Sequence, residues 1–147
     1  MIRAATPHDG PAIMQMGEDF HTESGWVEQF PFDKESFAHS CTRLGMAGLF
    51  VVAEKDGKVI GMAALDIGPA VTNYNIRLAR EVFFYVQPAY RKGIGRELFY
   101  ALKSIAKDNV ATFFDAVAEE GKRSQPLGRI YRAGGLSPAE TIFRVRL

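Results

Sequence analysis

The sequence predicts an α/β fold with a mixed sheet of the α+β kind. The β-sheet is central and is flanked by helices on both faces. Two patterns predict it. A hairpin signal lies at Lys55-Asp56-Gly57, and an apolar strand, an amphipathic helix and a second strand follow one another over residues 81–117. Hairpin strands pair antiparallel, whereas the strands of a strand–helix–strand unit normally pair in parallel. The length fits a single domain, residues 1–147.

The N-terminal part predicts a short strand followed by two helices. Residues 2–5 predict the strand, and Thr6 with Asp9 three residues later predicts the capped start of a helix. Asp33 predicts the cap of the second helix. The buried stripe of this second helix is predicted to consist of Phe37, Cys41 and Leu44.

The middle of the chain is rich in β-forming residues. Because Asp-Gly accepts the positive φ angles of a tight turn, residues 49–54 and 58–66 are predicted to pair as a hairpin. Residues 68–79 lack clear periodicity and are predicted to form a loop. Residues 81–87 are dense in aromatic and β-branched side chains and predict a strand that stops at Pro88.

The C-terminal part predicts a helix, a strand, a second helix and a second strand. Apolar residues at helical spacing predict a long helix over residues 93–108, and residues 111–117 predict the strand after it. A short helix is expected around residues 125–133, and a last strand at Glu140 to Leu147.

The turn before the long helix has the composition of an anion site. It contains Gly93 and Gly95 together with the cations Arg91, Lys92 and Arg96. The first N–H groups of a helix lack intrahelical partners, and the helix dipole adds positive potential there. Glycines let a bulky anion approach the backbone closely. The chemistry predicted for this turn is diphosphate binding.

Three other interpretations of the turn were open. A Walker A loop is excluded because no Gly-Lys-Ser/Thr is present. A Rossmann fingerprint is excluded because Leu98 stands where the third glycine is needed. A glycine turn that binds no ligand stays open on the turn alone.

The residues around this turn resemble a motif of a known family. Val-x-Pro-x-Tyr-Arg (residues 86–91) followed by Gly-Ile-Gly-Arg-x-Leu (residues 93–98) is similar to motif A of the GNAT acetyltransferases, whose loop amides hold the CoA pyrophosphate. Tyr-Arg-Ala-Gly-Gly-Leu (residues 131–136) is similar to the family's C-terminal Tyr-x-x-x-Gly-Phe. The resemblance spans nearly the whole chain and implies an acetyl-CoA-dependent N-acetyltransferase that acts by direct transfer to a primary amine.

Two positions depart from the family's pattern. The family spacing Arg/Gln-x-x-Gly-x-Gly/Ala would place Arg or Gln at Tyr90, so Arg91 comes one residue late and the loop is one residue short. Ser124 stands where family members often have Asn, seven residues before Tyr131. These departures keep a different function open, namely a non-catalytic acyl-CoA-binding module on the same fold.

The resemblance also implies a set of site residues. Tyr131 matches the general acid that protonates the CoA sulfur, and Glu81 stands where some members place a catalytic glutamate. An ordinary buried tyrosine, a solvated carboxylate and a water chain acting as the base remain open. The strand backbone near Tyr85 and Val86 would polarise the thioester and hold the pantetheine arm, which requires the next strand to splay away. The implied cofactor-binding residues are Tyr85, Val86, Arg91, Lys92, Gly93, Ile94, Gly95, Arg96 and Ser124.

The segment after the first predicted helix is the candidate site for the acceptor amine. Trp26, Phe30 and Phe32, beside Glu23 and Glu28, lie where family members often shape the acceptor pocket, and such a set suits a cationic amine. A loop that packs its aromatic rings onto the core is an equally open interpretation. We expect a small-molecule or peptide amine as the partner. Dimers are common among relatives, so the resemblance is compatible with a homodimer.

Composition argues against other classes of protein. The net charge of +1 disfavours nucleic-acid binding, and the longest apolar run, residues 49–53, is too short for a membrane span. The N-terminus lacks the apolar stretch of a signal peptide and the chain has one cysteine, so we expect a cytoplasmic protein. Cys41 is expected in the core, and His8, His21 and His39 lack metal-ligand spacing, so no metal is expected.

Overall fold

The computed structural model describes residues 1–118 and 124–147, without the side chain of Ser124. The strands are β1 (Ile2–Ala4), β2 (Phe50–Lys55), β3 (Lys58–Ala70), β4 (Asn73–Val86) and β5 (Phe113–Asp115). The helices are α1 (Gly10–Glu23), α2 (Lys34–Met46), α3 (Arg91–Asp108) and α4 (Ser124–Ala133). Short 3₁₀ turns lie at Pro7–Asp9, Trp26–Glu28 and Pro88–Tyr90.

The sheet is mixed, as predicted. Its strand order is β1-β2-β3-β4-β5, which is also the order of the strands along the chain. Neighbours from β1 to β4 pair antiparallel, whereas β5 pairs with β4 in parallel. The parallel pair arises because the chain crosses from β4 to β5 through α3 rather than through a tight turn.

Helices cover both faces of this sheet. On the α1–α2 face the buried side chains include Met16, Leu44, Met62, Phe83 and Tyr85. On the α3–α4 face they include Ala63, Phe84, Leu98, Phe99 and Tyr131. Strand β4 therefore contributes side chains to both layers. No helix in the described part of the chain is long and apolar enough to cross a membrane.

The predicted cap of α2 is confirmed, and the predicted pair of Thr6 and Asp9 caps the 3₁₀ turn Pro7–Asp9, which leads directly into α1. The carboxylate of Asp9 accepts hydrogen bonds from the N–H and the hydroxyl of Thr6, at 2.8 and 2.9 Å, and from two nitrogens of Arg3, both at 2.8 Å. The hydrogen bonds from Arg3 are the main reason why the pKa of Asp9 lies well below its usual range. Asp33 caps α2 by accepting the N–H of Ser36 at 2.7 Å.

The predicted turn at Asp56 and Gly57 is confirmed, and a second hairpin replaces a predicted loop. Asp56 and Gly57 have φ angles of 51° and 72°, the left-handed values that a tight hairpin turn requires. Pairing between β3 and β4 continues to Ala70 and Asn73, so the prediction of a loop over residues 68–79 is wrong. Most side chains at the far end of this hairpin are at least partly exposed, so apolar residues do not alternate there and backbone pairing decides the structure.

The C-terminal elements were predicted with unequal success. The helix expected around residues 125–133 is confirmed as α4, but the strand expected over residues 111–117 is shorter, because β5 has only three residues. The prediction of a last strand at Glu140 to Leu147 is wrong, since these residues are exposed and form no strand in the described structure.

The C-terminal tail lies against the segment that follows α1. The guanidinium of Arg144 lies 3.9 Å from the ring centre of Trp26, and Arg146 donates a hydrogen bond to the carbonyl of Gln29 at 3.3 Å. A β-forming sequence becomes a strand only where another strand pairs with its backbone. The tail has its contacts with a loop instead, which explains why its β-propensity has no effect.

Candidate active site

A β-bulge in β4 sets the position of the site. Leu65 of β3 pairs with Glu81 and Ala64 pairs with Phe83, so Val82 is an extra residue in β4. An extra residue reverses the faces to which the following side chains point, and it bends the strand. Relative to the side chains before Val82, those after it therefore face the layer opposite to the one that strict alternation would give.

The side chains on the two sides of the bulge show the change of face. Phe83 and Phe84 are consecutive and both buried because helices cover both faces of the sheet, so this pair alone does not predict the bulge. Phe83 and Tyr85 join the α1–α2 layer, whereas Phe84 joins the α3–α4 layer. Glu81 reaches the α3–α4 layer as well, because it contacts Tyr131 there.

Strand β5 parts from β4 directly before Glu81. In the residues that the structure describes, the parallel pairing runs from Leu78 opposite Phe113 to Arg80 opposite Asp115. Strand β4 continues beyond this last pair as far as Val86. This is the splay that the resemblance requires if a pantetheine arm is to lie along the end of β4.

The two expected catalytic side chains meet where the strands part. The hydroxyl of Tyr131 donates to the carboxylate of Glu81, with Oη 2.9 Å from one oxygen and 3.2 Å from the other. The same hydroxyl lies 3.2 Å from the carbonyl oxygen of Val117, which follows β5. Tyr131 is 6% exposed and Glu81 is 9% exposed. The phenol thus bridges the two strands at the point where they separate.

The end of α4 holds Tyr131 in place. Leu136 N–H donates to the carbonyl of Tyr131 and Gly135 N–H donates to that of Arg132, both at 3.0 Å, and Gly135 has a φ of 89°. This pair of hydrogen bonds is a Schellman motif. The ring of Phe99 packs against Tyr131, with 5.6 Å between centroids. A helix end fixed in this way gives the hydroxyl a defined position.

The start of α3 has the features of a phosphate site. Lys92 and Gly93 have non-helical backbone angles, with a φ of 94° at Gly93, so the regular helix begins at Ile94. Tyr90, the residue before α3, makes no side-chain cap. Lys92 and Arg96 are exposed beside the kink. Helix N–H groups without a side-chain cap, flanked by cations, suit the diphosphate of CoA.

Gly95 lies where α3 packs closely on its neighbours, and a methyl group there would need the side chain of Ile130 to move slightly. A Cβ at this position would lie 3.3 Å from Ile130 of α4 and 3.8 Å from the ring of Phe84. The missing side chain therefore lets α3 pack closely on α4 and β4. Gly93, by contrast, has nothing within 4 Å of a Cβ position and is needed for its positive φ.

The side chain of Arg91 folds back toward α1. Its Nε donates to the carbonyl of Val86 at 2.9 Å, and its Nη2 forms an ion pair with Glu23 at 2.5 Å. The guanidinium also lies 5.7 Å from the ring centre of Tyr85. No local sequence pattern predicts the contact with Glu23, because the two residues are far apart in the chain.

The side chain of Tyr85 belongs to the same cluster. It is buried, and its hydroxyl donates to Glu23 at 2.7 Å. Burial is the largest cause that raises the pKa of this phenol, and the hydrogen bond to Glu23 adds to it. The phenol therefore remains protonated and neutral at physiological pH.

The aromatic segment after α1 packs onto the core, which supports the second of its two interpretations. Ring centroids are 5.1 Å apart for Trp26 and Phe30, 5.2 Å for Phe32 and Phe37, and 5.7 Å for Phe37 and Phe83. Phe30 remains half-exposed at this surface. The carboxylate of Glu23, which the sequence placed beside these rings, is paired with Arg91.

The remaining candidates have ordinary surroundings. Burial raises the pKa of the Cys41 thiol to about 11, so this side chain is not a nucleophile at neutral pH. The Nε2 of His21 forms a hydrogen bond with the carbonyl of Phe30 at 2.8 Å. Among the described residues, no group of three or more His, Cys, Asp and Glu side chains could hold a metal ion. The side chain of Ser124 lies outside the described residues.

A mixed sheet in which β4 parts from β5 beside a cation-flanked helix start is the arrangement that the resemblance to acyl-CoA-dependent acyltransferases implies. The sequence matches the acetyltransferase (GNAT) family over residues 13–129, and the chain belongs to this family. Family membership supports acetyl transfer from acetyl-CoA as the activity. No match is found among curated proteins.

Solved structures of acetyltransferases share the fold. A predicted acetyltransferase from Clostridium acetobutylicum, with acetyl-CoA, has a TM-score of 0.75 at 18% identity, covering 99% of this chain and 95% of that one. An aminoglycoside acetyltransferase from an uncultured soil metagenomic sample has a TM-score of 0.73 at 16% identity, with 100% and 97% coverage. A ribosomal-protein-alanine N-acetyltransferase from Brucella melitensis biovar Abortus 2308 has a TM-score of 0.70 at 14% identity, with 100% and 99% coverage.

Proposed function

We propose that the protein is an N-acetyltransferase that transfers the acetyl group of acetyl-CoA directly to a primary amine in a ternary complex. The observation that carries this proposal is the hydrogen bond between Tyr131 and Glu81, 2.9 Å long, at the point where β4 and β5 part. It joins an acid and a carboxylate base beside the strand that would hold the thioester.

The cofactor site in this proposal combines the start of α3 with the end of β4. The backbone N–H groups from Lys92 to Arg96 and the two exposed cations would hold the diphosphate. The backbone of Tyr85 and Val86 would bind the pantetheine arm as an added strand. An N–H group there would also polarise the thioester carbonyl.

The proton transfers follow from the hydrogen bond. Acetyl-CoA supplies an acetyl group that is activated as a thioester. The acceptor ammonium group would first lose one proton to solvent. As the neutral nitrogen forms the C–N bond and the C–S bond breaks, the nitrogen would give a second proton to the carboxylate of Glu81, and the leaving sulfur would take a proton from Oη of Tyr131. Because the two side chains share a hydrogen bond, the proton on Glu81 can pass to Tyr131. Both groups then return to their starting states.

The acceptor in this proposal is the amine of a small molecule or of a peptide. The solved relatives include an aminoglycoside acetyltransferase and a ribosomal-protein-alanine acetyltransferase, so one fold serves acceptors of very different size. The half-exposed Phe30 and the adjoining tail would form part of the surface that the acceptor meets.

The test is Tyr131→Phe, which removes the hydroxyl and keeps the ring. Turnover should fall roughly 10- to 1,000-fold, the span of general acid catalysis, while the Kd for acetyl-CoA stays nearly constant. Release of the CoA thiol would be followed with a panel of primary amines, and Kd would be measured by calorimetry. Tyr74→Phe, at the exposed tip of the β3–β4 hairpin, is the matched control.

Two results would contradict the proposal. Equal turnover in wild type and Tyr131→Phe would remove the phenol from the mechanism. Binding of acetyl-CoA without turnover of any amine would instead favour the non-catalytic acyl-CoA-binding module, which the shortened loop keeps open.

A further inference from the structure

The cofactor loop of this chain is shorter than the family's spacing by one residue, and its first cation takes an unexpected direction. Only Lys92 separates Arg91 from the glycine with positive φ, Gly93. A side chain at the beginning of a phosphate-binding loop is expected to face the anion. The guanidinium of Arg91 instead donates to the carbonyl of Val86 and pairs with Glu23.

Glu23 is held at this position from two sides. One carboxylate oxygen accepts the hydroxyl of Tyr85 at 2.7 Å, and the other accepts Nη2 of Arg91. The side chains of Arg91 and Glu23 are 39% and 31% exposed, so the ion pair lies at the surface of the protein. The side chain of Tyr85 is buried in the core, which anchors the carboxylate. Two charge-assisted hydrogen bonds, one of them from a buried phenol, hold the carboxylate more firmly than a single surface ion pair would.

We propose that Glu23 is a positioning residue for acetyl-CoA binding, acting through Arg91. The inference rests on the proposed function. Glu23 holds Arg91, and Arg91 holds the carbonyl of Val86, so the shortened loop keeps the shape in which its amides face the diphosphate. Arg91 thus connects the end of β4, the loop and α1, and this connection is called the strut. The negative charge of the phosphates is compensated by Lys92, Arg96 and the backbone amides.

The direction in which loss of the Glu23 charge changes the affinity for acetyl-CoA distinguishes a positioning role from a purely electrostatic one. Glu23 carries a negative charge near a site for a negative ligand. If the carboxylate acted only through its charge, removing the charge would strengthen the binding of acetyl-CoA. A positioning role predicts the opposite, because the loop loses its shape when Arg91 loses its partner.

The pairing also argues against a role for Glu23 as a binding group for a cationic amine. Its charge is already compensated by Arg91, and its two oxygens accept hydrogen bonds from separate donors. An incoming ammonium group would have to displace one of them.

The experiment is a double-mutant cycle on acetyl-CoA affinity, measured by calorimetry with folded protein. Glu23→Gln and Arg91→Gln should each raise the Kd about 3- to 30-fold, the span of coupling through a positioning contact. The double variant should be no weaker than the weaker single variant, because both changes remove the same strut. Glu97→Gln, an exposed carboxylate in the first turns of α3, is the matched control and should leave the Kd unchanged or slightly lower.

Four results would overturn the inference. Tighter binding by Glu23→Gln would mean that the carboxylate acts by charge alone. Additive losses in the double variant would mean that Arg91 contacts the phosphates directly. If the wild type binds acetyl-CoA and both single variants bind it equally well, the contact between Glu23 and Arg91 has no role in binding. The proposed function would then remain intact. A wild type that does not bind acetyl-CoA would end both proposals.

A second measurement keeps folding separate from binding. Circular dichroism and the thermal midpoint of each variant would be recorded without ligand. A lower midpoint with an unchanged Kd would show a purely structural ion pair and count against the inference. A raised Kd at a temperature where the variant is fully folded would support it.

Discussion

At the scale of single residues, Gly134 gives the site its close packing. It lies in the turn after α4, and a Cβ on it would be 2.1 Å from the ring of Phe99. Phe99 in turn packs against Tyr131, and Lys103 donates to the carbonyl of Gly134 at 2.6 Å. The position of the proposed acid therefore depends on the absence of a side chain three residues later.

Gly134→Ala should destabilise the protein by about 1–3 kcal/mol, because the ring of Phe99 must move and the core there is already filled. The free energy of unfolding in urea measures this. Gly45→Ala in α2 is the matched control, since nothing lies within 4 Å of its Cβ position. It should stabilise the helix by up to about 1 kcal/mol. Equal effects of the two changes would contradict the packing described for Gly134.

At the scale of elements, β1 and α1 are joined by the ion pair of Arg3 and Asp9. The carboxylate is 6% exposed and accepts four hydrogen bonds, two from Arg3 and two from Thr6. Arg3 also pairs with Glu54 of β2 at 2.7 Å. The first strand, the first helix and the hairpin are thus connected through one guanidinium.

Asp9→Asn should lower the free energy of unfolding by about 2 kcal/mol at pH 7, the typical value of a hydrogen bond to a charged group. The folded pKa of Asp9 is depressed, so its contribution is present above the unfolded value of about 4 and is lost as the pH falls below it. The difference between wild type and variant should therefore shrink in urea unfolding at acidic pH. Asp66→Asn, which removes an exposed ion pair with Arg43, should have almost the same free energy of unfolding as wild type at either pH.

Elements with local signals were predicted from the sequence, and elements that depend on distant partners were not. The turn at Asp56-Gly57 and the helix cap at Asp33 are local, because a few neighbouring side chains determine them. The far end of the β3–β4 hairpin is a strand because the opposite backbone pairs with it. The tail over residues 140–147 has the composition of a strand and no pairing strand in the described structure.

In the site, too, features that match a local pattern were predictable and features that depend on distant residues were not. Tyr131 and Glu81 were each singled out because they match family positions, whereas the hydrogen bond between them is visible only in the structure. The direction of Arg91 could not be expected, because it depends on a carboxylate at the end of α1. A single sequence contains no pattern that relates two residues so far apart in the chain.

At the scale of the whole molecule, the core is complete without the C-terminal tail. Both buried clusters are built from residues that precede the tail. The apolar side chains of the tail, Ile142, Phe143, Val145 and Leu147, are exposed. The described contacts of the tail are those of Arg144 and Arg146 with the segment after α1.

Truncation after Ala139 should therefore change the free energy of unfolding by less than about 1 kcal/mol, the value of one exposed cation–π contact. Urea unfolding would measure the stability. Amide exchange should become faster around Trp26 to Gln29, where the tail makes its contacts, and stay unchanged in α3. A loss of several kcal/mol would show that the tail pairs with the sheet in solution, as its composition suggests.

The bulge at Val82 lets a strand of this length place Glu81 and Tyr85 on opposite faces of the sheet. Without a bulge, residues four positions apart point to the same face, so either Glu81 would lose its contact with Tyr131 or Tyr85 would leave the core. Loss of the Val82 codon would leave the two side chains three positions apart and still on opposite faces. Such a deletion would therefore keep both contacts and remove only the bend in the strand, whereas closing the bulge without a deletion would move one of the two side chains to the wrong layer.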